Sequence, residues 1–151
     1  MSFIFSLQRV LEIREKIVHE CELELENTKR ALEALRQLLV EERNFYFRER
    51  EELNESIRNA YIHKISLYEN SLMSRQKKMI EILSFIRNLE QDMDLFEQNL
   101  IQAKRNLKII ENLRDKKLEQ YKKIVHQKEK IFFDEQSILR FRSPDEYGFT
   151  D

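Results

Sequence analysis

Apolar residues recur at alternating steps of three and four from the amino end of the chain. The series Ile4, Leu7, Leu11, Arg14, Val18, Cys21, Leu25, Thr28, Leu32, Leu35, Leu39, Glu42, Tyr46, Glu49, Leu53, Ser56 and Ala60 keeps that spacing unbroken. Twelve of its seventeen positions are apolar when Cys21, Tyr46 and Ala60 are counted. A period of about 3.5 residues held this long predicts a coiled-coil helix. Such a helix leaves its stripe bare unless a partner covers it. The partner is expected in the same chain, because Leu72, Arg75, Met79, Ile82, Ile86, Leu89, Met93, Phe96, Leu100, Ala103 and Leu107 repeat the alternation. After Leu107 the phase shifts, and Leu118, Tyr121, Val125, Lys128, Phe132, Glu135 and Leu139 become the better seam. Two successive steps of four at 107–111 form a stutter, which locally unwinds a supercoil.

The expected fold is all-α: one long antiparallel two-helix coiled-coil hairpin over residues 1–143. Arm one is expected at about 3–57, a reversal within 57–73, arm two at about 73–142, and a flexible tail at 144–151. Asn54, Asn59 and Asn70 lie in or beside the reversal, and Asn tolerates the left-handed conformation that ends a helix where Gly is absent. At 1.5 Å per residue such arms predict a rod on the order of 80–105 Å. A parallel dimer of long helices ranks below the hairpin, because it sets like charges against each other.

Composition sharpens this picture. Gly148 and Pro144 are the only residues of their kinds, so residues 1–143 lack the usual suppliers of sharp turns. Charged residues are 36% of the chain, against about 25% in an ordinary domain. Charge also suggests a register. Residues 12–26 carry six Glu against Arg14 and Lys16, a net of −4, and residues 116–130 carry six Lys against Glu119 and Glu129, a net of +4. A reversal near residue 71 sets these blocks side by side, and one nearer 63 sets 12–26 against 100–114, which is also basic.

The same features narrow the chemistry. A two-helix coil has a thin core and no concave pocket in which to desolvate a substrate, so no catalytic residue is expected. No phosphate-cradling loop can form without Gly. His19, His63 and His126 match no zinc spacing, and Cys21 falls on the seam, so neither metal nor cofactor is expected. The net charge of −1 gives no global pull toward nucleic acid, and the basic stretch 104–130 is expected to be neutralised by the acidic first arm. The opening residues MSFIFSLQRVLEIREK are spaced rather than continuous in their apolar character, unlike a secretory signal, and no stretch approaches the ~20 apolar residues of a membrane span.

Aromatics off the seam are the remaining signal. Phe45 and Phe47 flank Tyr46, Tyr61 and Tyr68 lie in the reversal, and Phe3, Phe5, Phe132, Phe133 and Phe141 crowd the other end. Exposed aromatic clusters mark interfaces.

The opening FIFSLQRVLEIRE, with Phe3, Phe5, Leu7, Gln8, Val10, Leu11, Arg14 and Glu15, resembles the amino end of the flagellar FliJ family. The segment KEKIFFDEQSILRFR, with Lys130, Asp134, Glu135, Arg140 and Phe141, is similar to that family's carboxy-terminal end. The resemblance implies a non-enzymatic stalk of the flagellar type III export apparatus, cytoplasmic and peripheral to the inner membrane. Its implied partners are the hexameric export ATPase, the cytoplasmic domain of the export gate and export chaperones, with no nucleic acid or small-molecule substrate. On that basis Phe3, Phe5, Leu7, Arg9, Arg14, Arg140 and Arg142 are candidates for the ATPase contact, and Phe45, Tyr46, Phe47, Tyr61 and Tyr68 for the gate contact. A virulence-type secretion stalk and a general coiled-coil scaffold or holdase are the alternatives.

Overall fold

A computed structural model describes residues 2–146, with side chains through Phe141. It contains two helices, α1 (Gln8–Arg58) and α2 (Ile62–Glu146), paired as an all-α antiparallel hairpin. The contacts fall into two compact units, one of residues 16–104 and one of residues 1–15 with 105–151.

In the first unit the alternating seam is the core. Leu32, Ile82 and Ile86 are buried together, and Leu35, Leu39, Leu89 and Met93 pack against them. Val18, Leu25, Leu72 and Ala103 are also buried. Polar seam positions are accommodated locally: the buried Thr28 hydroxyl donates to the Glu24 carbonyl at 2.8 Å.

The reversal is short and occupies the start of the expected window. The Tyr61 N–H bonds the Ser56 carbonyl at 3.0 Å, and the Ala60 N–H bonds the Ile57 carbonyl at 3.3 Å. This is the Schellman arrangement, with Ala60 in the left-handed region at φ 57°. Ala60 therefore holds the position for which an Asn was expected, and Asn59 precedes it. Arm two begins at Ile62 rather than near residue 73. A Schellman closure satisfies the last carbonyls of α1 within the turn itself, so no longer connector is required.

An alanine Cβ in the left-handed region crowds the following carbonyl, at about 1–2 kcal/mol. Ala60→Gly relieves that crowding but adds freedom to the unfolded chain. The net expectation is a gain of about 0.5–1 kcal/mol, read as a higher midpoint in urea unfolding followed by circular dichroism. An unchanged or lower midpoint argues against the strained cap.

In the second unit the amino-terminal strand of chain closes over α2. Residues 3–7 precede α1 and do not follow its period. Phe5 rather than Ile4 is therefore buried, joining Leu11 and Ile110, with Phe3, Leu7, Val10, Leu107 and Leu113 around them. Ile110 and Leu113 carry the core across the expected stutter. Leu118, Tyr121 and Val125 are half-buried, and every residue from His126 to Phe141 is exposed. Seam positions Lys128, Phe132, Glu135 and Leu139 thus have no covering helix among the described residues. α2 continues as helix past Ser143, and the remainder of the tail lies outside the described residues.

Of the two registers that charge allows, the pairing lies nearer the one set by a reversal close to 63 than the one set by a reversal near 71. Leu11 meets Ile110, the Arg14 guanidinium meets the Asn106 carbonyl, and Phe3 meets Tyr121. Glu12 and Glu15 therefore lie level with residues just past 104, and residues 116–121 face the uncharged opening of the chain. The lysines at 116–130 are not matched by the acidic block.

Candidate functional site

Two surfaces concentrate the candidate residues, one in each unit. In the unit of residues 16–104, a seam position carries charge instead of leucine. Glu42 is buried, and its carboxylate receives the Lys78 ammonium at 2.7 Å and Arg75 Nη1 at 3.1 Å. Arg75 Nε lies 2.9 Å from Glu49, off the line of a hydrogen bond, and the Ser71 hydroxyl donates to the same carboxylate at 2.8 Å. The hydrogen bond from Lys78 holds Glu42 below the usual carboxylate range despite the opposing effect of burial. This network anchors the side chains next to it.

The Arg75 guanidinium lies over the Phe45 ring at 5.0 Å, and Arg48 approaches the same ring at 5.8 Å. Tyr46 is half-buried on the seam and accepts a hydrogen bond from Gln76 Nε2 at 3.1 Å. Phe47 projects from the opposite flank to Phe45, edge-on to Tyr46 at 5.7 Å and beneath Arg43 at 5.6 Å. Tyr46 and Phe47 form one wall of an apolar groove of about 540 Å³, and Met79, Ile80 and Leu83 of α2 form the other. Leu39, Arg43 and Gln76 complete it.

Of the five residues expected at this end, the structure brings Tyr46 and Phe47 into the groove and places Phe45 on the other side of α1. Tyr61 sits exposed in the turn with the Lys64 ammonium over its ring at 5.1 Å. Tyr68 is half-buried beside Glu52, whose carboxylate accepts from the phenol and pushes Tyr68 above its ordinary value. Sequence reasoning missed the α2 wall. Its signal was present: Ile80 and Leu83 flank the seam residues Met79 and Ile82, so the apolar face is wider there than a two-helix seam requires.

The second surface belongs to the other unit. Phe3 stacks at a tilt on Tyr121 with centroids 5.5 Å apart, and Phe5 and Leu7 are drawn into the core. Arg14 is half-buried and directs Nη1 to the Asn106 carbonyl at 2.6 Å. Three of the expected docking residues, Phe5, Leu7 and Arg14, thus hold the end of the hairpin together. Arg9 and Arg140 are exposed, and the Arg142 side chain lies outside the described residues. Beyond Tyr121, α2 presents Ile124, Ile131 and Ile138 in one column and Val125, Phe132 and Leu139 in another, on either side of Lys128 and Glu135, because each set repeats every seven residues. Lys122, Lys123, Lys130 and Arg140 lie on the remaining face.

Among the described residues, no cluster of His, Cys, Asp and Glu could hold a metal ion, and no helix is long and apolar enough to cross a membrane. No curated protein and no solved structure matches the chain significantly. The family model described as the flagellar FliJ protein matches residues 3–146, nearly the whole length. The chain therefore belongs to the flagellar FliJ protein family.

Proposed function

We propose that the hairpin is a stalk that couples the hexameric export ATPase to the export gate, with the end bearing both termini at the ATPase and the aromatic groove at the gate. Membership of its family makes the chain a component of the flagellar type III export apparatus. The finer assignment rests on where this chain leaves apolar surface uncovered. A coiled coil that has closed its own seam needs no further apolar contact, yet the Tyr46–Phe47 groove and the 124–139 columns remain open.

The observation that carries the ATPase contact is the extension of α2. It continues as a single helix past Tyr121, with an apolar stripe along one side and Lys122, Lys123, Lys130 and Arg140 off it, which suits insertion into a pore with apolar and carboxylate-bearing walls. Arg9 and Arg140 supply planar, multidentate donors to such walls. The groove suits an apolar anchor from the gate, with the Arg43 guanidinium and the Gln76 amide at its rim for orientation. A stalk role places the protein in the cytoplasm at the inner-membrane export complex and gives it no catalytic step of its own. Chaperones that deliver export cargo are its third class of partner.

The two contacts separate experimentally. Arg9→Glu combined with Arg140→Glu is expected to reduce stimulation of ATP hydrolysis by the cognate ATPase about tenfold or more, with helicity unchanged. Tyr46→Ala combined with Phe47→Ala is expected to weaken binding to the purified gate domain by about tenfold to a hundredfold, leaving stimulation intact. Full stimulation by the first variant removes those arginines from the ATPase contact. Full gate binding by the second removes the groove.

A further inference from the structure

We infer that two copies of this chain pair through the exposed part of α2, antiparallel and centred between Ile131 and Phe132, and that this pairing masks the end proposed to enter the ATPase. The masking rests on the proposed function; the pairing does not.

The stripe continues an established interface. Tyr121 packs on Phe3 of the amino-terminal arm, Leu118 and Val125 are half-buried, and the same heptad phase runs on through Phe132 and Leu139 with nothing over it among the described residues. Ile131, Phe132, Ile138 and Leu139 are each more than half exposed, at 57%, 56%, 55% and 65%. The occupant must therefore be a helix with a matching 3.5-residue stripe.

The order of residues says which helix. Two charges, Lys128 and Glu135, sit in the middle of the apolar face. Reading outward from the midpoint, Ile131 corresponds to Phe132, Lys128 to Glu135, Val125 to Ile138 and Ile124 to Leu139. Each apolar position is mirrored by an apolar one, and the lone cation is mirrored by the lone anion. Two copies laid antiparallel about that midpoint bring Lys128 beside the second copy's carboxylate twice over, which is the self-complementarity of a two-fold interface. A parallel pair sets Lys128 against Lys128 and Glu135 against Glu135, which is unfavourable at seam positions. The length fits as well. About the same midpoint, Tyr121, where Phe3 stacks, corresponds to residue 142, so the paired stretch ends where the amino-terminal arm begins.

The test is sedimentation equilibrium of the full chain with light scattering. The chain should pass from monomer to dimer with a Kd on the order of 10 µM. Lys128→Glu alone, and Glu135→Lys alone, should each weaken pairing about tenfold or more. The double variant Lys128→Glu with Glu135→Lys should restore it, because the pair is merely exchanged. These side chains are exposed, so helicity should stay constant in all variants. In a Cys21→Ser background, Val125→Cys mixed with Ile138→Cys should cross-link on oxidation, and Val125→Cys alone should not. A chain that remains monomeric at about 100 µM, charge reversals without effect, or self-cross-linking of Val125→Cys would overturn the pairing. The cross-linked pair should fail to stimulate the ATPase until reduced. Undiminished stimulation by the locked pair overturns the masking, whereas loss of stimulation by reduced, monomeric chain would instead count against the stalk itself.

Discussion

Replacing Arg75 with alanine is expected to destabilise the protein by about 2–4 kcal/mol. Arg75 bridges two carboxylates, Glu42 and Glu49, at seam positions where apolar residues normally meet. Its removal leaves Glu42 with Lys78 alone, leaves Glu49 with only the Ser71 hydroxyl, and withdraws the guanidinium from the Phe45 ring. Two anions then share a poorly hydrated site, so the loss exceeds that of an exposed ion pair, at ~0–1 kcal/mol.

The pH dependence distinguishes this cause from lost packing. Glu42 is held below its ordinary value in the folded protein, so its contribution is complete above the usual carboxylate range. It is lost as pH falls through the depressed value. Natural chain should therefore weaken on acidification below about pH 4.5. In the Arg75→Ala variant Glu42 keeps only Lys78 of its two cations, so less of its contribution remains to be lost on acidification. The stability gap should be widest near neutrality and should narrow in acid. Urea unfolding at a series of pH values checks this. A gap independent of pH would assign the effect to packing.

Leu32→Ala is expected to cost about 2–4 kcal/mol, whereas Leu139→Ala should change stability by less than about 0.5 kcal/mol. Both residues occupy the same kind of seam position in the heptad pattern. Leu32 is 3% exposed and packed against Ile82 and Ile86, so truncation leaves a void that the helices cannot collapse to fill. Leu139 is 65% exposed, and truncation leaves none. Thermal unfolding of dilute protein, below the concentration at which copies pair, compares them directly. Equal costs would mean that the far part of α2 is covered within the molecule.

These two residues also show how far the sequence carries. The seam was legible almost residue by residue: between Leu7 and Ser56 the buried and half-buried positions of α1 follow the alternating series, apart from Val10. The aromatic concentration near the reversal was legible too, but not that Tyr46 and Phe47 line one groove while Phe45 lies on the other side of α1. Phe5, Leu7 and Arg14 were legible as distinctive residues, but not as residues turned inward. That depends on residues 3–7 leaving the helical period, which a repeat does not report. Ile80 and Leu83 were overlooked because a two-helix seam does not need them, and the second wall of the groove exists only once α2 lies beside α1.

Periodicity by itself determined the helical class and the two stripes, because burying a 3.5-residue stripe has few solutions when nothing interrupts the helix, and charge ranked antiparallel closure above a parallel dimer. Periodicity left the register open. Sliding one stripe past the other by seven residues restores every apolar contact, so alignments differing by whole heptads look alike in sequence. Only the tertiary structure decided among them, through non-repeating features: the left-handed Ala60 that closes the turn, the Glu42–Arg75–Glu49 charges that pair at one alignment, and Phe3 on Tyr121. That alignment is what leaves residues 126–141 uncovered among the described residues.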